Sequence, residues 1–340
     1  METRPIGSLQ VTLVGIGCNN FGRRIDDQAS HAVVHAALDA GINFFDNADI
    51  YGGTRSEELL GQALGSRRKE AIIATKFGIP INDQRKGGAS PAYISQAVND
   101  SLKRLGTDYI DLYWVHIWDQ ITPVEEVMRG LDDLVRAGKI LYVGISDAPA
   151  WWIAQANTLA ELRGWSSFIG LQLEYSLIER TVERELIPMA KALNLGVTAW
   201  GPLSGGVLTG KYHGQGTSEA GRMHSDMLKG LMPEQNRADR VVAAVKAVSD
   251  ETSRSMGQVS LAWLRHRAVP VIPILGARKL SQLQDNLASF DLTLSADQLQ
   301  TLEQASQIEP GFPYSMYTKD LARSVAYGGM RDRILAENLK

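Results

Sequence analysis

The stretch Ile110 to Gly144, IDLYWVHIWDQITPVEEVMRGLDDLVRAGKILYVG, contains two apolar runs with a helical segment between them. Leu131, Leu134 and Val135 recur at spacings of three and four, which places them on one face of a helix that opens at Pro123. A strand, a helix and a second strand of this length form a βαβ unit, in which the two strands run parallel. The stretch therefore predicts one repeat of a parallel α/β fold.

The same pattern of strand and helix repeats along the chain. Eight parallel strands of this kind can close into a (β/α)8 TIM barrel. A doubly wound open sheet is the alternative, but it would normally carry G-x-G-x-x-G after its first strand, and the segment that begins Gly15-x-Gly17 lacks the third glycine. The pattern favours a single barrel domain over residues 1–340. The eight apolar, β-rich runs begin near Leu13, Ile42, Ala71, Ile110, Ile140, Gly170, Gly196 and Val271.

Two segments do not fit the regular repeat. The runs at Gly196 and Val271 start 75 residues apart, so we expect a long loop over 202–235 after the seventh strand. Loops of this length without structure of their own are commonly lids or binding loops. A C-terminal tail over 308–340 follows the last barrel helix and is predicted to fold over one end of the barrel.

The composition excludes several classes of protein. Of the 340 residues, 44% are hydrophobic and 21% are charged, which argues against a disordered chain, a fibre or a disulfide scaffold. Lysine and arginine number 35 against 38 aspartates and glutamates, so the net charge of −3 predicts a small-molecule ligand and no nucleic-acid partner. Cys18 is the single cysteine, and no apolar stretch reaches the ~20 residues of a membrane span. We expect a cytoplasmic protein without a membrane partner, and the oligomeric state is unknown.

Ionisable residues end three of the apolar runs, at the end of the barrel where active sites lie. Asp46 ends the second run, Lys76 the third and His116 the fourth, while Tyr51 follows Asp46 in the same loop. Taken singly, each residue is more simply explained as part of a structural ion pair or, for His116, as a hydrogen-bonded histidine of the core. Together, however, they converge at one end of the barrel. A tyrosine has a pKa of ~10 in water, and a nearby ammonium such as that of Lys76 favours its ionised form. The set predicts a general acid for an oxyanion or alkoxide, without a nucleophile.

These residues lie in motifs that resemble those of the aldo-keto reductase family: F-D-N-A-D-I-Y-G at 45–52, A-T-K at 74–76 and D-L-Y-W-V-H at 111–116. The resemblance extends from about Leu13 to Phe290. It implies a barrel enzyme that reversibly reduces an aldehyde or ketone to an alcohol with NADP(H). It also implies that the catalytic tetrad is Asp46, Tyr51, Lys76 and His116.

The resemblance further implies where NADP(H) binds. Ser146, Gln172 and Trp200 match family residues around the nicotinamide, but Asp147 stands where the family usually has asparagine, and an ionised aspartate cannot donate a hydrogen bond. Arg278 is the main candidate for the 2′-phosphate, with Lys279 as the second. The 202–235 loop is expected near the cofactor. The complete predicted cofactor set is Gly17, Cys18, Ser146, Gln172, Trp200, Gly201, Pro202, Leu203, Ser204, Gly206, Leu208, Gly276, Arg278, Gln282 and Asn286.

Aromatic residues at the mouth predict an apolar substrate pocket formed by Phe21 and Trp118, with Phe312 or Tyr314 of the tail as further candidates. The sequence identifies the substrate only as a small carbonyl compound or alcohol. One alternative function is a cofactor-binding regulatory subunit resembling the channel β subunits. Another is a metal-dependent barrel hydrolase, but the six histidines form no convincing ligand cluster, and we expect no metal.

Overall fold

A computed structural model of the chain describes residues 1–82, 86–211, 235–267, 269–317, 325–328, 330 and 332–333. Eight of its strands are parallel and close into a barrel, in which the last strand pairs with the first. The predicted (β/α)8 TIM barrel is therefore confirmed. The barrel strands are β3 (Gly15–Gly17), β4 (Phe44–Asp46), β5 (Ile72–Phe77), β6 (Ile110–Val115), β7 (Ile140–Ser146), β8 (Phe168–Glu174), β9 (Gly196–Trp200) and β10 (Val271–Leu275).

An antiparallel hairpin that the sequence analysis did not predict precedes the barrel. Its strands are β1 (Thr3–Ile6) and β2 (Leu9–Thr12). Ile6 is fully buried, and a Cβ added at Gly196 would lie 2.8 Å from its Cγ1, so the hairpin packs on the amino-terminal ends of the barrel strands. This hairpin closes the end of the barrel opposite the carboxyl ends of the strands. It also explains why the first barrel strand begins at Gly15 and not near Leu13.

Helices connect the barrel strands in the expected alternation. The first helix begins at Asp27 and is capped by Asp26, whose carboxylate accepts a hydrogen bond from the backbone N–H of Ala29. Ser30 is buried in the first turns of this helix. The helices are α1 (Asp27–Asp39), α2 (Arg55–Leu64), α3 (Pro91–Leu105), α4 (Val124–Arg136), α5 (Ala150–Arg163), α6 (Leu186–Ala192), α7 (Gln235–Thr252), α8 (Met256–Arg265), α9 (Leu280–Leu287), α10 (Ala296–Ser306) and α11 (Tyr314–Tyr317).

The core has two layers, because alternate strand residues point into and out of the barrel. A small interior cluster contains Phe44, Ala74, Leu112 and Trp114, and the larger cluster lies between the strands and the surrounding helices. Trp114 is fully buried at the centre of the barrel. The interior is therefore packed with side chains, and a ligand has room only at the end of the barrel.

We expect Gly144→Ala to destabilise the fold, because the added Cβ would clash with the ring of Trp114 inside the barrel. Overpacking of this kind typically costs about 1–3 kcal/mol, which urea unfolding would measure. Gly257→Ala is the matched control, since its Cβ would meet no atom closer than 3.8 Å on a helix that favours alanine. Equal stabilities of the two variants would contradict the packing at Gly144.

The long loop and the tail are described only in part. Residues 204–209 form a short 3-10 helix, whereas 212–234 of the predicted 202–235 loop lie outside the described residues. In the described part of the tail, the Arg184 guanidinium donates to the backbone oxygen of Glu309 at 2.9 Å. Phe312 is 83% exposed, so it does not wall a pocket as predicted. Among the described helices, none has the length and apolar character to cross a membrane.

Candidate active site

The four predicted catalytic residues meet at the carboxyl ends of three neighbouring barrel strands. Asp46 ends β4, Lys76 lies near the end of β5, and His116 directly follows β6. Tyr51 opens a 3-10 turn after β4. Asp46, Tyr51 and His116 line one cleft with a volume of about 1080 Å³. The structure thus brings together all four residues.

Asp46 and Lys76 form a buried ion pair under the floor of this cleft. Lys76 Nζ donates to Asp46 Oδ2 at 2.5 Å and to the backbone oxygen of Asn47 at 2.8 Å. The other carboxylate oxygen of Asp46 accepts from the side-chain amide of Gln172 at 2.9 Å. Burial lowers the pKa of Lys76, but the attraction of Asp46 and then of Tyr51 outweighs it, and the pKa is raised. The lysine therefore keeps its positive charge.

Tyr51 and His116 lie on the cleft side of this pair. Lys76 Nζ is 5.1 Å from the centre of the Tyr51 ring, so the positive charge of the lysine lies next to the tyrosine. The rings of Tyr51 and His116 meet edge to face with centroids 6.0 Å apart. Burial, and secondly the charge of Lys76, hold the pKa of His116 well below its usual range. The imidazole is therefore neutral near pH 7 and can act as a hydrogen-bond donor or acceptor.

The sequence Tyr51-Gly52-Gly53 sets the position of the tyrosine. Both glycines have a positive φ, at 60° and 64°, which L side chains rarely adopt. A Cβ on Gly52 would lie 2.5 Å from the backbone oxygen of Phe21. Only glycine allows this close approach, which folds the turn back over the cleft and leaves the tyrosine at its edge.

The predicted nicotinamide residues lie on β7, β8 and β9, beside the tetrad. Ser146, Gln172 and Trp200 line the cleft. The Ser146 hydroxyl is buried and makes no hydrogen bond of ordinary geometry within the described residues. The side-chain amide of Gln172 donates to Asp46, and the indole Nε1–H of Trp200 donates to Asp147 Oδ1 at 3.1 Å.

The predicted phosphate and adenosine residues lie beyond Trp200. Gly201 and Gly206 have positive φ values of 62° and 99°. The Gln282 side chain accepts from the backbone N–H of Arg278 at 2.9 Å, and so orders the start of α9. Pro202, Ser204, Leu208 and Asn286 are buried, and the Ser204 hydroxyl is hydrogen-bonded to that of Ser176 at 2.8 Å.

Three predicted contacts are not where the sequence analysis put them. Cys18 and Phe21 are fully buried in the layer between strands and helices, so neither side chain reaches the cleft, although Gly17 does. Both side chains point away from the barrel interior. The chain turns after β3, so the alternation of inward and outward side chains along the strand does not continue to these residues. Trp118 leans edge to face on Trp151, 5.5 Å between centroids, and its neighbour Ile117 lines the cleft instead.

The sequence analysis also missed cleft residues that lie in loops. Asn19, Asn20, Arg23 and Arg24 follow β3 and line the cleft. Lys211 was likewise not predicted, yet its side chain lies over Gly206, where a Cβ would meet Lys211 Nζ at 2.6 Å. The sequence feature that these residues share is that they follow a barrel strand. This position alone does not distinguish a binding residue from a solvent-exposed one.

Comparison with known proteins agrees with this arrangement. The sequence model of the Aldo/keto reductase family matches residues 13–307. The chain belongs to the aldo/keto reductase family. The resemblance to this family that was noted in the sequence is therefore confirmed.

Several aldo-keto reductase relatives are similar over most of their length. The "Aryl-alcohol dehydrogenase [NADP(+)]" of Phanerodontia chrysosporium is 32% identical, with 93% of this chain and 88% of the relative covered. An uncharacterized oxidoreductase of Bacillus subtilis (strain 168) is 34% identical, with coverages of 92% and 97%. The norsolorinic acid reductase of Emericella nidulans is 32% identical, with coverages of 91% and 82%.

The cleft of this aldo-keto reductase fits a nicotinamide cofactor by its own chemistry. The buried Ser146 hydroxyl makes no hydrogen bond of ordinary geometry within the described residues, so it could pair with an amide group of a ligand. Gly201, Gly205 and Gly206 follow β9 with positive φ values and have no side chains, so the backbone could approach a phosphate group closely there. Within the described residues, no group of three or more His, Cys, Asp or Glu side chains could hold a metal ion.

Proposed function

We propose that this aldo-keto reductase reduces an aldehyde or ketone to an alcohol, reversibly, with Tyr51 as the general acid. Aldo-keto reductases use NADP(H), and NADP(H) is therefore the cofactor of the family to which the chain belongs. When bound, NADPH supplies the hydride that the reaction requires. The observation that carries the proposal is the position of Tyr51 at the edge of the cleft, with its ring centre 5.1 Å from the Nζ of a buried Lys76 that is paired with Asp46.

Each tetrad residue has a separate part in this proposal. Tyr51 donates its hydroxyl proton to the substrate oxygen as negative charge develops there. The Lys76 charge favours the tyrosinate that remains, and Asp46 holds the lysine in place. The neutral His116 orients the carbonyl oxygen through a hydrogen bond. In the reverse direction, the tyrosinate accepts the proton of the alcohol.

We infer that the substrate is an aromatic alcohol or its aldehyde. Two relatives, from Phanerodontia chrysosporium and Pestalotiopsis microspora, are named aryl-alcohol dehydrogenases. Isoleucines from three loops, Ile50, Ile79 and Ile117, face the cleft with Val182 and Leu186. Apolar walls of this kind suit a flat aromatic ring better than a sugar.

The proposal is tested by following NADPH consumption with a panel of benzaldehydes, aliphatic aldehydes and sugars. We expect the benzaldehydes to react with the highest kcat/KM. Tight NADPH binding without turnover of any carbonyl would instead support the regulatory-subunit alternative. Turnover of sugars alone would contradict the proposed substrate class.

Arg278→Ala is expected to weaken the binding of NADPH, while the affinity for NADH changes little. A 2′-phosphate carries ~1.5 to 2 negative charges, and a guanidinium can bind it through paired, charge-assisted hydrogen bonds. Loss of such a contact typically costs ~1.5 to 3 kcal/mol, or about 10- to 150-fold in Kd. Titration of both cofactors by quenching of tryptophan fluorescence measures the difference, and the wild type should prefer NADPH.

Two further variants make this experiment specific. Lys279→Ala shows whether the second candidate cation shares the phosphate. Arg163→Ala removes an exposed arginine at the far end of α5 and should leave both Kd values unchanged. If Arg278→Ala weakened the binding of NADH and NADPH equally, Arg278 would only support the loop before α9.

A further inference from the structure

Asp147 is the one residue of the predicted nicotinamide clamp that departs from the family pattern, and the structure gives its carboxylate a partner. Asp147 directly follows β7, lines the cleft, and accepts a hydrogen bond from Nε1–H of Trp200 at 3.1 Å. Trp200 ends β9, so the bond spans the mouth of the barrel between strands that are not neighbours.

The backbone at Asp147 holds this carboxylate in place. Its φ is 40°, in the left-handed region, which short polar residues such as aspartate and asparagine tolerate better than other L residues. Its carbonyl oxygen accepts from the backbone N–H of Trp118 at 3.4 Å, and Pro149, two residues on, caps α5. The loop after β6 and the loop after β7 therefore meet at Asp147, and these contacts restrain the residue independently of Trp200.

We propose that Asp147 is a positioning residue that fixes the indole plane of Trp200 at the nicotinamide end of the cleft. Nε1–H is the single hydrogen-bond donor of a tryptophan side chain, so one acceptor is enough to select among the ring's rotations. Without it, the ring of Trp200, which is partly exposed at the end of its strand, is restrained only by packing.

Aspartate and asparagine differ in how reliably they make this bond. Both oxygens of a carboxylate accept, so either one can receive the indole N–H. An asparagine amide must present its oxygen, because the NH₂ group would face another donor. An aspartate therefore accepts the Trp200 N–H whichever of its two oxygens faces the indole. Unlike the family asparagine, it has no side-chain N–H to donate.

The inference rests on the proposed function only in assigning Trp200 to the nicotinamide; the bond itself is tested without cofactor. In ¹H–¹⁵N spectra of the protein alone, the Trp200 Nε1–H resonance is assigned as the one missing from Trp200→Phe. We expect it to shift upfield and broaden in Asp147→Ala and to stay near its wild-type position in Asp147→Asn. An unchanged resonance in Asp147→Ala overturns the inference, whatever the enzyme's activity.

A double-mutant cycle on the Kd of NADPH tests the consequence for the site. Asp147→Ala should weaken NADPH by roughly three- to tenfold in the wild-type background, the range of one hydrogen bond. In the Trp200→Phe background, which keeps a ring but no N–H, the same substitution should have almost no effect. Backbone strain from alanine at a positive φ is present in both backgrounds and cancels. Equal weakening in both backgrounds would show that Asp147 does not act through Trp200.

Discussion

Tyr51→Phe is expected to lower kcat for carbonyl reduction by about 10²- to 10⁴-fold, the usual contribution of a positioned general acid. The phenylalanine ring fills the same space at the edge of the cleft but has no proton to donate. The Kd of NADPH should stay nearly unchanged, because the substitution removes little of the predicted cofactor surface. Single-turnover kinetics and a fluorescence titration measure the two quantities separately.

Tyr113→Phe is the matched control for this experiment. The Tyr113 hydroxyl is buried in the layer behind the barrel strands and has no hydrogen-bond partner within the described residues. Its loss should therefore leave kcat unchanged. Near-normal kcat in Tyr51→Phe would remove Tyr51 from the chemistry, even if the fold and the cofactor were intact.

Lys76→Met is expected to have an equally large effect, through charge. Methionine nearly matches the length of the lysine chain but leaves Asp46 as an unpaired, buried carboxylate, which typically destabilises a fold by about 3–5 kcal/mol. The positive charge that favours the tyrosinate is also lost. The limb of the pH profile that reports Tyr51 should therefore move to higher pH, and kcat at neutral pH should fall.

A double variant separates stability from catalysis. Asp46→Asn combined with Lys76→Met removes both charges, so urea unfolding should recover much of the lost stability while kcat stays low. Lys69→Met, at an exposed lysine before β5, controls for the substitution itself. Recovery of activity in the double variant would mean that the ion pair serves the fold and not the tyrosine.

The barrel and the tetrad were predictable because both depend on local patterns. Each strand and helix has its own periodicity, and Asp46, Lys76 and His116 each stand where an apolar run ends. The β1–β2 hairpin was not predicted, since its strands have only four residues and no long alternation. A cytoplasmic location stays a prediction.

The walls of the cleft were less predictable, because loops are set by tertiary contacts. Nothing in the sequence near Phe21 shows that the turn after β3 sends its ring into the outer core. The contact of Trp118 with Trp151 joins the loop after β6 to the first turn of α5, which are far apart in the sequence. The bond from Trp200 to Asp147 likewise depends on how β7, β8 and β9 lie side by side, whereas the sequence shows only an unexpected aspartate.

The β1–β2 hairpin at the amino-terminal end of the barrel determines the side from which ligands reach the tetrad. Ile6 closes the floor of the barrel against Gly170 and Gly196, so among the described residues no passage leads through the barrel to its far end. Substrate and cofactor therefore reach Tyr51 from the cleft side, and the products leave toward the same side of the barrel. Exchange of the two ligands consequently takes place at one end of the molecule.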